Sequence, residues 1–289
     1  MKPAQFDYFA PTTVDEVASL LAELGDEAKV LAGGQSLVPM LNLRLARFEA
    51  LIDLRRVEVL RRVEVNGDGL TLGAMVRQCD VEERADIGAA VPLLAAATPL
   101  IGHFQIRSRG TVGGSIAHAD PAAEYPAVAL ALDAELGVVG QAGSRTVAAR
   151  DFFIGTWDTV LEPGEILASV TFPTWGEGSG FAVEEVARRH GDFAIAGAAV
   201  GLRLKQGKID KAAIAMFGMG GTPLRAAEAE HSLLGLDASS LDLKGIGALA
   251  VAGMDPSEDL HASSALRRRI GATVVSRALG RAIQEAGVA

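Results

Sequence analysis

The 289-residue sequence holds one cysteine, Cys79, which excludes an internal disulfide and leaves no thiolate cluster for structural zinc or an iron–sulfur centre. Cys79 reads most simply as a small buried hydrophobe. The histidines His103, His190, His231 and His261 show no His-x-x-x-His spacing, so zinc chemistry has no ligand set. Basic charge is also short: 27 Lys and Arg stand against 36 Asp and Glu, a formal net charge of −9. That balance disfavours nonspecific binding to nucleic acid or anionic lipid, so any phosphate has to be held locally. No long hydrophobic run is present, because the longest, from Ile87 to Gly102, is interrupted by Pro92 and Pro99 and is too short to span a bilayer. The opening MKPAQFDYFAPTTVDE is acidic and lacks an apolar run, so it does not read as a secretory signal. A cytoplasmic protein is expected. Internal repeats and low-complexity tracts are absent, and no Ser-His-Asp order is compelling.

The apolar content of 49% is ample for a core and fits two medium domains or one large subdivided one. Thr13 and Glu16 form a capping-box pattern before Val17, Leu20, Leu21 and Leu24 at helical spacing, with Gly25 as the stop. AKVLAGG reads as a short strand running into a glycine pair, and ALIDL at 50–54 as a second strand. Asn66-Gly67-Asp68-Gly69 between two strand-like runs predicts a hairpin. Helices are expected over 76–85, after Pro92 and over AAEYPAVALALDA, and strands over 135–139 and 165–172. FPTWGEGSG at 172–180 reads as a connection between domains. Beyond it, AIAGAAVGLRL and KIDKAAIAMFGMG flank Gln206-Gly207 as a long hairpin, and 264–286 forms a long helix with Leu266, Ile270, Val274 and Ile283 on its apolar side.

Two short stretches carry the chemistry. LAGGQS (31–36) and GTVGGSIAHADP (110–121) each set a glycine pair beside a hydroxyl. A diphosphate needs several donors aimed at one small volume, and main-chain N–H groups converge that closely only where the Cβ is missing. Gly33-Gly34 and Gly113-Gly114 meet that need, with Ser36, Ser115 and Thr111 adding hydroxyls and a following helix adding its dipole. Neither stretch holds Gly-Lys-Ser/Thr or G-x-G-x-x-G, so a nucleoside-triphosphate loop is excluded. A plain turn uses the same residues, and composition alone leaves both readings open. His118 is either a donor to a ligand or a structural histidine. Asp120 and Glu124 are either an acid–base pair or, as the spacing favours, a cap and first-turn residue of the helix after Pro121. Arg188 and Arg189 read as a solvated strand end or a contact face, and Arg267, Arg268 and Arg269 as a solvated face.

Taken together, AGGQS, TVGGS, the following IAHADPAAE and the later VARRHGDFAIAG resemble the flavin-binding medium subunit of molybdenum hydroxylases, the family of carbon monoxide dehydrogenase and xanthine dehydrogenase. The resemblance runs from FDYFAPTTVDEVASLL to the final helix. It implies an α+β chain: an FAD-binding domain of the vanillyl-alcohol-oxidase (PCMH) type over 1–175, with subdomains of about 1–56 and 57–175, and a carbon monoxide dehydrogenase flavoprotein-type C-terminal domain over 178–286. It further implies that Leu31, Ala32, Gly33, Gly34, Gln35, Ser36 and Leu37, with Thr111, Val112, Gly113, Gly114 and Ser115, cradle the FAD diphosphate. Ile101 and Gly102 would line the flavin cleft; His118, Asp120 and Glu124 would lie near the ribityl chain or phosphates. Ile166 or Leu167 would sit by the flavin or adenine. Phe193 falls where relatives often place a tyrosine against the flavin ring, and beside it an opening for the acceptor is expected. Relatives often carry a lysine before the ARR run, where this chain has Glu184 and Glu185. The implied partners are a molybdopterin-containing large subunit and a [2Fe-2S] small subunit, with NAD⁺, oxygen or a quinone as acceptor and no substrate acid or base on this chain. A self-sufficient flavin oxidase or reductase, or a nucleotide-binding module without catalysis, are the alternatives.

Overall fold

The computed structural model describes residues 1–67 and 69–288. The chain opens with a three-stranded parallel sheet in which β1 (Asp7–Phe9) and β2 (Ala28–Leu31) flank β3 (Ala50–Asp53). The first helix, Val14–Leu24, carries the expected capping box. Thr13 Oγ1 accepts from Glu16 N–H, Glu16 reaches back to the Thr13 amide, and the helix ends at Gly25, whose φ is +56°. Its buried Val17 and Leu21 pack with Ile52 and Leu54. β1 went unread in the sequence, because DYF is three residues long and only one of them is not exposed.

β4 (Val63–Asn66) and β5 (Gly69–Gly73) form the expected hairpin; its turn residue Asp68 lies outside the described residues. β6 (Glu135–Gly140), β7 (Gly143–Ala148) and β10 (Ile166–Pro173) join them in an antiparallel sheet of order β4-β5-β10-β6-β7, and β8 (Phe153–Gly155) pairs with β9 (Asp158–Thr159) as a separate ribbon. Short helices at Gln78–Glu83, Ala85–Ala90 and Pro92–Ala97 cover this sheet with helices Val112–His118 and Glu124–Ala131.

β11 (Ser179–Val186), β12 (Ala196–Lys205), β13 (Lys208–Phe217) and β14 (Leu224–Arg225) form a third, antiparallel sheet. Gln206 and Gly207 turn the long hairpin with φ of +55° and +77°, the left-handed pair that a two-residue connection requires. The terminal helix Ser264–Val288 lies on β11 and β12. Its buried Val274, Val275, Ala278, Leu279 and Ala282 form the packed stripe, against a sheet face of Ala182, Ala198 and Val200.

Three sequence expectations are corrected here. Gly113-Gly114 sit inside a helix and not in a loop, with Thr111 as N-cap. Arg267 is 7% exposed and points inward, donating to the Ile195 and Gly218 carbonyls and pairing with Asp259 at 2.6 Å. Three consecutive helical residues spread over most of a turn, so a triplet of arginines cannot share one solvated face. Cys79 is only half buried, beside the Asp80 carboxylate.

Candidate functional site

The two glycine-bearing segments meet. A Cβ on Gly33 would collide with the Arg109 carbonyl and lie 2.8 Å from Gly110 Cα, and one on Gly114 would lie 3.2 Å from Ala32 Cβ. The first segment leaves β2, and Gly34 turns it with φ of +74° into helix Leu37–Asn42, whose first residue Leu37 follows Ser36 at the N-cap. Gln35 folds back so that its Nε2 donates to the Gly33 carbonyl at 3.0 Å. Among the described residues, the main-chain N–H groups of Gly33, Gly34, Gln35 and Ser36 donate to no protein acceptor, and the Ser36 hydroxyl makes no cap bond. These residues are half buried, so a ligand or water can reach them.

The second segment contributes differently. Val112 N–H donates to the Val76 carbonyl and Gly113 N–H to the Ala74 carbonyl, both at 2.9 Å. Gly114 N–H donates to Thr111 Oγ1 at 3.1 Å, and Ser115 N–H to the Thr111 carbonyl at 3.1 Å. Its glycines answer to packing: a Cβ on Gly113 would lie 2.6 Å from Ala74 Cα. With those amides engaged, the half-buried Ser115 hydroxyl, which has no protein partner among the described residues, is what the segment presents.

Further residues named from the sequence fall into groups. Ile166, in register with Val139, belongs to the apolar cluster that Ala32 packs against, whereas its neighbour Leu167 joins the cluster of Ile101 and Val112. Strand alternation separates them. Gly102 bends with φ of +51°, and buried Arg107, paired bidentately with Glu82, donates to the carbonyls of Ile101 and Gly102 at 3.1 and 3.4 Å. The loop bearing Phe193 approaches that bend, since a Cβ on Gly191 would lie 3.0 Å from the Gly102 carbonyl. Phe193 is 61% exposed and lines a cleft of about 570 Å³ together with Pro121, Ala122, Arg188, Ala194 and Gly218.

His118 ends its helix and stacks on Trp157, with centroids 6.2 Å apart. Burial holds its imidazole below the usual range against the opposing charge of Asp120, so it offers a neutral ring. Asp120 does not cap the next helix, which starts at Glu124 with Ala123 at the N-cap. Its Oδ1 accepts from Ala122 N–H at 2.9 Å and its Oδ2 from the Trp157 indole at 3.1 Å. Pro121 and the turn closed by Ala123 N–H on the Asp120 carbonyl displace the helix start by three residues. Glu124 is 5% exposed, and burial, helped by the charge of Glu185, pushes its carboxyl up to about 8. Arg188 meets His261 at 3.2 Å at the cleft.

Sequence reasoning passed over Trp157 and Arg107. Trp157 lies in a two-strand ribbon with φ of +60°, and nothing local ties it to His118 thirty-nine residues earlier. Arg107 sits in RSRG, where only the fold shows which arginine turns inward.

The junction suits a diphosphate-bearing cofactor. Among the described residues, the amides of Gly33–Ser36 and the hydroxyls of Ser36 and Ser115 have no protein partner, and they lie on segments that meet too closely for any side chain between them. No helix among the described residues is long and apolar enough to cross a membrane.

Comparison with known proteins agrees with the geometry. Residues 4–175 match the FAD binding domain in molybdopterin dehydrogenase, and residues 181–282 match the CO dehydrogenase flavoprotein C-terminal domain. The chain is 40% identical to the 6-hydroxypseudooxynicotine dehydrogenase complex subunit alpha of Paenarthrobacter nicotinovorans, covering 99% of this chain and 97% of that one. It is 38% identical to the carbon monoxide dehydrogenase medium chain of Hydrogenophaga pseudoflava, covering 98% of each. Among solved structures, it superposes on a chain of the carbon monoxide dehydrogenase from that organism with a TM-score of 0.96, at 39% identity over 99% of each chain. A chain of quinoline 2-oxidoreductase from Pseudomonas putida 86 gives 0.93 at 36% identity, over 99% of each. The α+β fold read from the sequence and the FAD cofactor both stand, and this chain belongs to the family of FAD-binding medium subunits of the molybdenum hydroxylases, as a flavoprotein component of an oxidoreductase.

Proposed function

We propose that this chain is the electron exit of a cytoplasmic three-subunit hydroxylase. A molybdopterin-containing large subunit oxidises the substrate, a [2Fe-2S] small subunit relays the electrons, and the FAD held here passes them to an external acceptor. Flavin supplies the conversion between one-electron and two-electron transfer; the protein binds, orients and shields it. The FAD-binding part spans 1–175 and the C-terminal part 178–286.

The observation that carries this reading is the strip of unused amides at Gly33–Ser36 closed against Gly110 and Gly114. In it the diphosphate takes the N–H groups of Gly33, Gly34, Gln35 and Ser36, with the hydroxyls of Ser36 and Ser115 beside them. Leu31, Ala32, Leu37, Thr111, Val112 and Gly113 hold the two segments in place and shape the wall. Ile166 supports Ala32 from beneath, with Leu167 behind it. His118 donates one neutral ring N–H toward the ribityl side, while Asp120 fixes the Trp157 indole that stacks on it. Ile101, Gly102 and Phe193 would face the flavin ring, and the cleft beside Phe193 would admit the acceptor. No residue of this chain acts on the hydroxylase substrate.

Purification of the assembled particle from its native host tests this. The expected result is a yellow complex containing FAD, a molybdopterin protein and a ferredoxin-like protein. A chain that purifies alone, without flavin, and turns over a substrate by itself would refute it.

A further inference from the structure

Trp157 occupies a backbone position that usually falls to glycine. It is the second of the two residues that turn β8 into β9, between Gly155 and its cross-strand partner Asp158, and its φ is +60°. The Gln206-Gly207 turn places a glycine at the matching position. The left-handed region is unfavourable for any residue with a Cβ, and a bulky one there is an outlier that asks for a cause.

Its neighbours hold it in that state. The Trp157 main-chain N–H donates to the Ala119 carbonyl at 3.1 Å, and Ala119 is itself left-handed, with φ of +52°. The indole N–H donates to Asp120 Oδ2 at 3.1 Å, and the ring stacks on His118 with the two planes 10° apart. The side chain is thus fixed at its backbone, its nitrogen and one face, yet Trp157 remains 60% exposed. A strained residue that its surroundings over-determine, with a large apolar surface held bare, is the arrangement found where a ligand is clamped.

The place of the indole says which ligand. Gly114 and Ser115 lie four and three residues before His118 in helix Val112–His118, and so share its face. That face meets the first segment, since a Cβ on Gly114 would lie 3.2 Å from Ala32 Cβ. In the other direction, Asp120 grips the indole, and the next two residues, Pro121 and Ala122, line the Phe193 cleft. Thr156, beside Trp157, donates to the Gly221 carbonyl at 3.2 Å, next to Gly220 of the same cleft. A continuous series of contacts therefore runs from the diphosphate strip through His118 and Trp157 to the cleft.

We propose that Trp157 is a further FAD-contacting residue, its bare indole surface packing along the ribityl chain between the diphosphate and the flavin ring. The inference rests on the flavin placement above. A ribityl chain carries C–H groups between its hydroxyls: the C–H groups suit an aromatic surface, and the His118 ring beside the indole supplies an N–H for a hydroxyl. Trp157 thereby covers the middle of the cofactor, while the strip holds one end and the Phe193 cleft leaves the other open.

Hydroxyl-radical footprinting of the assembled complex, read by mass spectrometry, tests the contact in the unaltered chain. Trp157 should be oxidised readily in the flavin-stripped complex and protected several-fold once FAD is restored, with the buried Trp175 slow in both states. ADP, at a concentration that blocks FAD rebinding, supplies the diphosphate and ribose without the ribityl chain and should leave Trp157 open. Glycine suits the left-handed turn, so Trp157→Gly removes the side chain without straining the backbone. That variant should retain FAD about fivefold less well, the order of one aromatic contact, and Trp157→Phe should recover most of the loss. Equal oxidation with and without full flavin occupancy, protection by ADP alone, or unchanged FAD retention in Trp157→Gly would each overturn the ribityl contact. Protection already complete in the stripped complex would make Trp157 a contact between subunits and overturn it as well. A wild-type complex that takes up no FAD would instead defeat the functional reading, and this inference with it.

Discussion

Gly33 has no room for a side chain: the Arg109 carbonyl and Gly110 Cα occupy the space, and the amides from Gly33 to Ser36 on its own side of that contact are the ones left unused. A valine there pushes the first segment off the second and pulls its donors out of register. Gly33→Val and Gly114→Val are each expected to lower FAD retention by tenfold or more, roughly 1.4 kcal/mol of affinity, read as the flavin-to-protein absorbance ratio after gel filtration. Full occupancy in both variants would contradict the paired-segment site. Glu124 makes a second prediction at this scale, about stability. Its ordinary pKa is 4.5 and burial pushes the folded value up to about 8, so between those values the folded chain holds a proton that the unfolded chain has released. Stability is therefore full below about pH 4.5 and is lost as pH rises to about 8, where the loss levels off. Glu124→Gln keeps the shape of the neutral acid without that dependence. Denaturant unfolding should show the variant gaining on the wild type from pH 5 to pH 8, by a few kcal/mol, since each tenfold change in proton affinity is worth about 1.4 kcal/mol. A constant difference across that range would show that Glu124 ionises normally in the fold.

At the scale of elements, legibility followed the locality of the signal. The capping box of Thr13 and Glu16, the Gln206-Gly207 turn and the strand before Gly33 are set by residues a few positions apart, and each appears where the spacing places it. Both glycine pairs stood out in the sequence and the fold brings them together, yet they do different work, and no local pattern reveals that. Gly113-Gly114 are helical because Thr111 caps them and, from the segment just after β5 nearly forty residues away, the Ala74 carbonyl takes the Gly113 N–H and the Val76 carbonyl that of Val112. Arg267 illustrates the same limit. A run of three arginines reads as a solvated face, but its guanidinium pins the Ile195 and Gly218 carbonyls, and so fixes the base of the Phe193 loop to the terminal helix. Arg267→Met fills the space without those donors and leaves two carbonyls unpaired in the interior. A loss of about 2 kcal/mol is expected, the order of leaving a carbonyl acceptor unsatisfied, with faster proteolysis within 187–195. A variant as stable as the wild type would show that water replaces the arginine there.

For the whole molecule, the sequence suggested a seam at FPTWGEGSG, and the matched family regions end and begin at 175 and 181. The apolar core does not stop there. All eight residues of helix Glu124–Ala131 are buried, and the same continuous cluster contains Leu70, Leu136 and Phe172 from one sheet together with Val183, Ala199, Ala213 and Phe217 from the next. Trp175 sits at the crossing, 6% exposed, edge-on to Phe181 at 5.4 Å and with the Lys211 ammonium 3.9 Å from its ring centroid. Arg225 crosses as well, donating to the Leu130 carbonyl at 3.0 Å while paired with Asp133 and Glu230. A chain ended at residue 178 would expose one side of that helix and the side of helix Pro92–Ala97 that meets β11 and β12. Burying apolar surface is worth about 25 cal/mol per Å², so uncovering even a few such side chains consumes most of the roughly 5–15 kcal/mol by which a domain is stable. The full chain is therefore expected to unfold with residues 57–288 as one cooperative unit, and the 1–178 fragment to bind a hydrophobic dye, fail to retain FAD and aggregate. A fragment that stays monomeric and yellow, with its own sharp melting transition, would show that the flavin half is self-sufficient and that the shared core only joins two parts already folded.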